Sequence, residues 1–126
     1  MSRAFDEATV RAALRRAWSL ETAAQWSAEN PANGQCNVTA AVIHDLFGGE
    51  VLRTHMAGIW HYYNRIEGRA VDLSDSQFTD PGARFAPPER YDDALTTRDA
   101  AMEGIPEREY QALRAALLAH LEAGSA

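Results

Sequence analysis

Apolar residues at Val10, Leu14, Ala17 and Trp18 recur at helical spacing while Arg11, Arg15 and Arg16 fall off that stripe, which predicts a helix from about Glu7 to Trp18 with Asp6 as its N-cap. Ser19 is placed to cap a short second segment, Glu21 to Trp26, which ends before the breaker run Asn30-Pro31-Ala32-Asn33-Gly34. Helical spacing resumes at Cys36. Val38, Ala41, Val42, Leu46 and Phe47 form the apolar face of a helix from Cys36 to Phe47, and Gly48-Gly49 stops it. The period then changes. Glu50 to His55, Ile59 to Ile66 and Arg69 to Leu73 are β-branched or aromatic runs joined at Met56-Ala57-Gly58 and Glu67-Gly68, and they predict a three-stranded antiparallel meander. From Ser74 to Arg98 the chain is turn-rich, with Pro81, Gly82, Pro87 and Pro88, and reads as an ordered surface wrap. Pro106 at a first helical position opens a last helix with Tyr110, Leu113, Leu117 and Leu121 on one face and Gly124 after it. The fold class expected is α+β: a Cys-bearing helix packed on a short antiparallel β-meander, with N- and C-terminal helices, in a single domain over 1–126.

Composition narrows the classes of function. At 126 residues the chain suits one domain, able to bury roughly two-thirds of the surface its unfolded form exposes. With 46% hydrophobic and 24% charged residues it is neither disordered nor fibrous in type. Eighteen acidic against twelve basic residues give a net charge of -6, and the basic residues are spread along the chain, so nucleic acid is not an expected partner. No apolar run approaches the ~20 residues that cross a bilayer, and Met1 to Val10 lacks the basic-then-apolar order of a signal peptide. The expectation is a cytoplasmic protein with no membrane partner and no cofactor. The one cysteine cannot form an intrachain disulfide and has no companion for a zinc ribbon or CxxC site, which leaves Cys36 as core filler or nucleophile.

The place of Cys36 favours chemistry, because free N–H groups and the dipole of a helix N-terminus stabilise a thiolate. A base must also serve the thiol, and His61 is the candidate. A two-residue turn at Glu67-Gly68 places His61 opposite Ser74 and Tyr63 opposite Asp72, so His61 and Asp72 become diagonal neighbours on one face, about 7–8 Å apart at the backbone. Tyr62, Ile66, Val71 and Leu73 collect on the other face. A three-residue loop would shift the register by one and break this pairing. Asp72 would then hold the imidazole in one tautomer while the other nitrogen faces sulfur. The Cys36 N–H, helped by Gln35 or Asn33, would bind an oxyanion, and Asn64 lies on the wrong face for that. Trp26, Trp60 and Tyr63 are expected as walls of a groove for a small-molecule or peptide substrate. His44 and His55 share no ligand spacing with His61, so no metal site is expected. His120 reads as a last-turn helix residue, and Asp92-Asp93 and Glu107 to Glu109 read as solvated surface.

The string Trp18-Ser19, Glu21-Thr22, Trp26, Asn30-Pro31, Gly34-Gln35-Cys36 and Thr39-Ala40 continues through Phe47-Gly48-Gly49-Glu50, Thr54, Trp60-His61-Tyr62-Tyr63-Asn64, Asp72-Leu73-Ser74 and Gln77-Phe78. It resembles the YunG-like family of uncharacterised bacterial proteins over roughly half of the chain. More remotely, Cys on a helix followed by His and Asp on adjacent strands is similar to the papain-like and transglutaminase-like superfamily, including its small NlpC-type members. That resemblance implies a small papain-like or transglutaminase-like domain and a cysteine peptidase, amidase or acyltransferase with Cys36, His61 and Asp72 as its triad. Gln35 directly before Cys36 departs from the superfamily, whose oxyanion Gln stands several residues earlier. The rival expectations are a ligand- or peptide-binding module of the same fold and a redox-responsive thiol.

Overall fold

The computed structural model describes residues 3–124. Positions 1–2 and 125–126 of the expected single domain lie outside the described residues. Asp6 opens the first helix as an N-cap, accepting the Thr9 N–H at 3.0 Å, and α1 runs Glu7–Ala17. Trp18 is already extended (φ -63°, ψ 137°), so the helix ends one residue earlier than its apolar stripe suggests.

Residues 19–34 form successive turns, not the expected helix from Glu21 to Trp26. Six residues cannot offset the cost of nucleating a helix, and local side-chain bonds compete: Thr22 Oγ1 accepts the Ser19 N–H at 3.0 Å. The second helix, α2 (Cys36–Phe47), has the bounds its pattern predicts, and Gly48 (φ 81°) ends it.

The three expected strands are β1 (Glu50–Met56), β2 (Ile59–Ile66) and β3 (Arg69–Val71), joined by a fourth, β4 (Ala94–Thr96), in the antiparallel order β3-β2-β1-β4. Glu67 (φ 53°) and Gly68 (φ 79°) both adopt left-handed conformations in the β2–β3 turn, as a two-residue primed turn requires, and Asn64 pairs with Val71. The register is the one the turn chemistry predicts. β3 stops at Val71, short of the expected Leu73, because the Asp72 carboxylate folds forward to accept the N–H and hydroxyl of Ser74, each at 3.2 Å. A 3-10 turn at Asp75–Phe78 follows.

The expected surface wrap from Ser74 to Arg98 thus carries real elements: the 3-10 turn, β4, and the start of a short helix α3 (Arg98–Met102) capped by Thr97. Pro106 directly precedes α4 (Glu107–Gly124), which includes Gly124 as its final residue. Val10 and Leu14 of α1, Val38, Val42 and Ile43 of α2, Leu113 and Leu117 of α4 and Ile66 of β2 form the main core. A smaller cluster of Ala40, Val51, Tyr62 and Ala101 lies between α2, α3 and the sheet. The architecture is α+β, with helices on one side of a four-stranded antiparallel sheet.

Candidate active site

Alternation along β2 divides its side chains between two environments. Tyr62, Asn64 and Ile66 turn toward the helices, and Asn64 Nδ2 donates to the Ala40 carbonyl of α2 at 3.0 Å. His61 and Tyr63 turn the other way. Their rings stack with centroids 6.1 Å apart, beneath Phe78 of the 3-10 turn and Tyr91 of the loop that leads to β4.

On this face His61 Nε2 and Asp72 Oδ2 stand 2.7 Å apart, both side chains buried. The loop entering α2 is tied to the same region, since Asn30 Nδ2 donates to the Gln77 carbonyl at 2.9 Å and Asn33 Nδ2 to the Gly82 carbonyl at 3.2 Å. Cys36, half-buried, lines the same cavity as His61 and interacts with its imidazole electrostatically, while the thiol's own hydrogen bond runs to Asn37 Oδ1 at 3.3 Å. With Nε2 committed to Asp72, Nδ1 is the nitrogen left for sulfur. Burial opposes a charge on His61, but bonds to Asp72 and Cys36, together with their negative charge, outweigh it and push the imidazole up to about 10. That balance favours the protonated ring.

The remaining expected residues sort by what they touch. The Cys36 N–H makes no hydrogen bond among the described residues. Gln35 is fully buried: its Oε1 accepts from Thr22 Oγ1 at 2.8 Å, and its Nε2 has no partner among the described residues. Asn33 spends its amide on Gly82. Trp60 and His61 line a cavity of about 350 Å³ that also takes in Cys36. Trp26 is packed against the main core, and Tyr63 faces a different hollow beside Asp72 and Asp93. His55 stacks on Trp60 at 3.6 Å. No group of three or more His, Cys, Asp or Glu among the described residues is arranged to hold a metal ion.

Several contributors are missing from the sequence reading. Tyr91 donates to Asp72 Oδ2 at 2.7 Å, and Ser74 holds the other carboxylate oxygen. Asp93, expected as solvated surface, is half-buried and accepts from the Tyr63 hydroxyl at 2.7 Å. Glu109, from the other stretch expected as solvated surface, lines the cavity, as do Gln25, Gln77 and Arg84. No apolar periodicity marks these residues, because separate segments, several of them irregular, deliver them to one place.

The chain matches the family described as YunG protein over residues 6–122. It is 36% identical over 112 residues to the "Uncharacterized protein YunG" of Bacillus subtilis (strain 168), an alignment covering 89% of this chain and 91% of that relative. No solved structure matches it. No helix among the described residues is long and apolar enough to cross a membrane.

Proposed function

The chain belongs to the YunG family, and from its geometry we propose that it is a cysteine-dependent amide, ester or thioester hydrolase or acyltransferase using Cys36, His61 and Asp72. The observation that carries this reading is the buried imidazole bonded to Asp72 at 2.7 Å and lining one cavity with Cys36. An imidazolium beside sulfur at a helix N-terminus favours thiolate over thiol. The Cys36 thiolate attacks the carbonyl carbon, and the developing oxyanion is met by the free Cys36 N–H. Gln35 Nε2, buried without a partner, is a second donor to test, whereas the Asn33 amide is already engaged. His61 gives its Nδ1 proton to the leaving amine, alcohol or thiol, and an acyl-enzyme remains. Attack by water, with His61 now taking the proton, yields a carboxylic acid; attack by an amine yields a transferred acyl group. Asp72 keeps the imidazole oriented throughout.

The order of helix-borne Cys, then a strand-borne His and an Asp just past the end of the neighbouring strand, supports a relation to papain-like and transglutaminase-like domains. A reducing compartment such as the cytoplasm suits a free nucleophilic thiol. A second reading, a ligand-binding module without turnover, draws on the 3.3 Å contact in which the Cys36 thiol donates to Asn37 Oδ1, since that bond belongs to the neutral thiol.

The rate of Cys36 alkylation by iodoacetamide as a function of pH separates the two. For a working triad, His61→Ala slows alkylation at about pH 6–7 by roughly tenfold or more, and Asp72→Asn slows it less. Superimposable profiles for the wild type and both variants would discard the triad in favour of the binding module.

A further inference from the structure

The cavity that holds Cys36 also carries a signature of what enters it. Its volume of about 350 Å³ is at the small end for ligand sites, enough for a small molecule rather than a long peptide. About half of its wall is apolar, built from Met56, Ile59 and Trp60 at the end of the β1–β2 hairpin and from Phe85, Ile105 and Pro106. Besides the His61 imidazolium, two charges face it: Arg84, from the loop between the 3-10 turn and β4, and Glu109, in the first turn of α4.

Neither charge is spent inside the protein. Arg11, Arg15, Arg65, Arg69, Arg90 and Arg98 all form ion pairs with carboxylates. Arg84, like Arg3, Arg16, Arg53, Arg108 and Arg114, has no ionic partner among the described residues, but of these it is the one that lines the cavity, where it lies over the Phe85 ring at 5.6 Å; Glu109 has no ionic partner among the described residues either. The two form no ion pair with each other, so both charges are open to a ligand in the cavity.

We infer that the substrate is a small zwitterionic amide whose ammonium end meets Glu109, whose carboxylate end meets Arg84, and whose amide lies between them at Cys36. A free amino acid carries both charges on one carbon. A dipeptide, or an amino acid conjugated through its side-chain carboxyl, carries them on either side of the bond to be attacked. Arg84 suits the carboxylate because its guanidinium can engage both oxygens. The apolar wall takes the aliphatic portions.

This assignment rests on the acyl-chemistry reading for the fate of the amide, but its test does not require turnover. Cys36→Ala protein is titrated by calorimetry with four probes: leucyl-alanine, its N-acetyl form, its C-terminal amide, and the doubly blocked form. The free dipeptide should bind most tightly, with each block weakening binding about tenfold, the scale of one lost charged hydrogen bond. Adding Arg84→Gln should erase the penalty for the amide alone, and adding Glu109→Gln the penalty for the acetyl group alone. Equal binding of all four probes, absence of leucyl-alanine binding, or penalties unchanged in both variants would overturn the inference. The alkylation profiles report independently: normal profiles with failed discrimination leave the thiol chemistry standing with another substrate, and discrimination without a pH signature leaves a zwitterion-binding module.

Discussion

The Tyr91 hydroxyl donates to Asp72 Oδ2 at 2.7 Å, the same oxygen that stands 2.7 Å from His61 Nε2. Burial, and then the negative charge of Asp72, hold this phenol protonated well above the usual tyrosine range, so it serves as a donor throughout the working pH range. Asp72 is thus shared between the imidazolium and a neutral donor, while Ser74 satisfies its other oxygen.

Tyr91→Phe removes one donor and concentrates the carboxylate on His61. The His61 titration, followed by NMR of its ring protons, should move upward, and the melting transition should report a loss of about 1–2 kcal/mol. A downward shift would show that Tyr91 supports the imidazolium instead of competing with it.

Stability should fall as the solution becomes alkaline. Burial alone would lower the His61 pKa, but the bonds and charges of Asp72 and Cys36 raise it from an ordinary 6.5 to about 10, so the folded state binds more protons across that interval than the unfolded state. The stabilisation is complete below about pH 6.5 and is lost as pH rises through about 10, with a slope of up to ~1.4 kcal/mol per pH unit. Urea unfolding at several pH values measures it, and His61→Asn should flatten the dependence. An equally steep slope in that variant would assign the effect to other groups.

Gly34→Ala should damage the entry to α2 in two separable ways. Gly34 sits at φ 73°, and a Cβ there would run into Gln25 Oε1 and lie 2.8 Å from the Gln25 Cβ and Cδ. The left-handed backbone alone costs about 1–2 kcal/mol with a side chain present. The steric part should vanish in the Gln25→Gly, Gly34→Ala double variant while the backbone part persists. Strict additivity of the two substitutions in thermal melts would show that the side chains do not meet.

Trp18→Ala should cost about 3–5 kcal/mol, because the indole is 4% exposed and donates through Nε1 to Thr39 Oγ1 at 2.9 Å. Trp26 is only half-buried against the core, so Trp26→Ala should cost less. A reversal of that order in denaturant unfolding would place the tighter packing at Trp26.

Local chemistry on its own determined a good deal of this protein. The bounds of α2 follow from a helical apolar face and a Gly48 stop, and the shared face of His61 and Asp72 follows from a Glu67-Gly68 turn that permits one register. Such features depend on neighbours a few positions away, so they are written in the order of residues. β4 is three residues long and exists because β1 offers it a pairing edge, and the turns at 19–34 replace a helix because six residues cannot pay for nucleation. Only the tertiary structure decided that Tyr91 reaches Asp72, that Asp93 anchors Tyr63, and that Arg84 and Glu109 share a cavity with Cys36. Those contacts join segments far apart in the chain, and their energy depends on where the fold carries each segment, which no short-range pattern encodes.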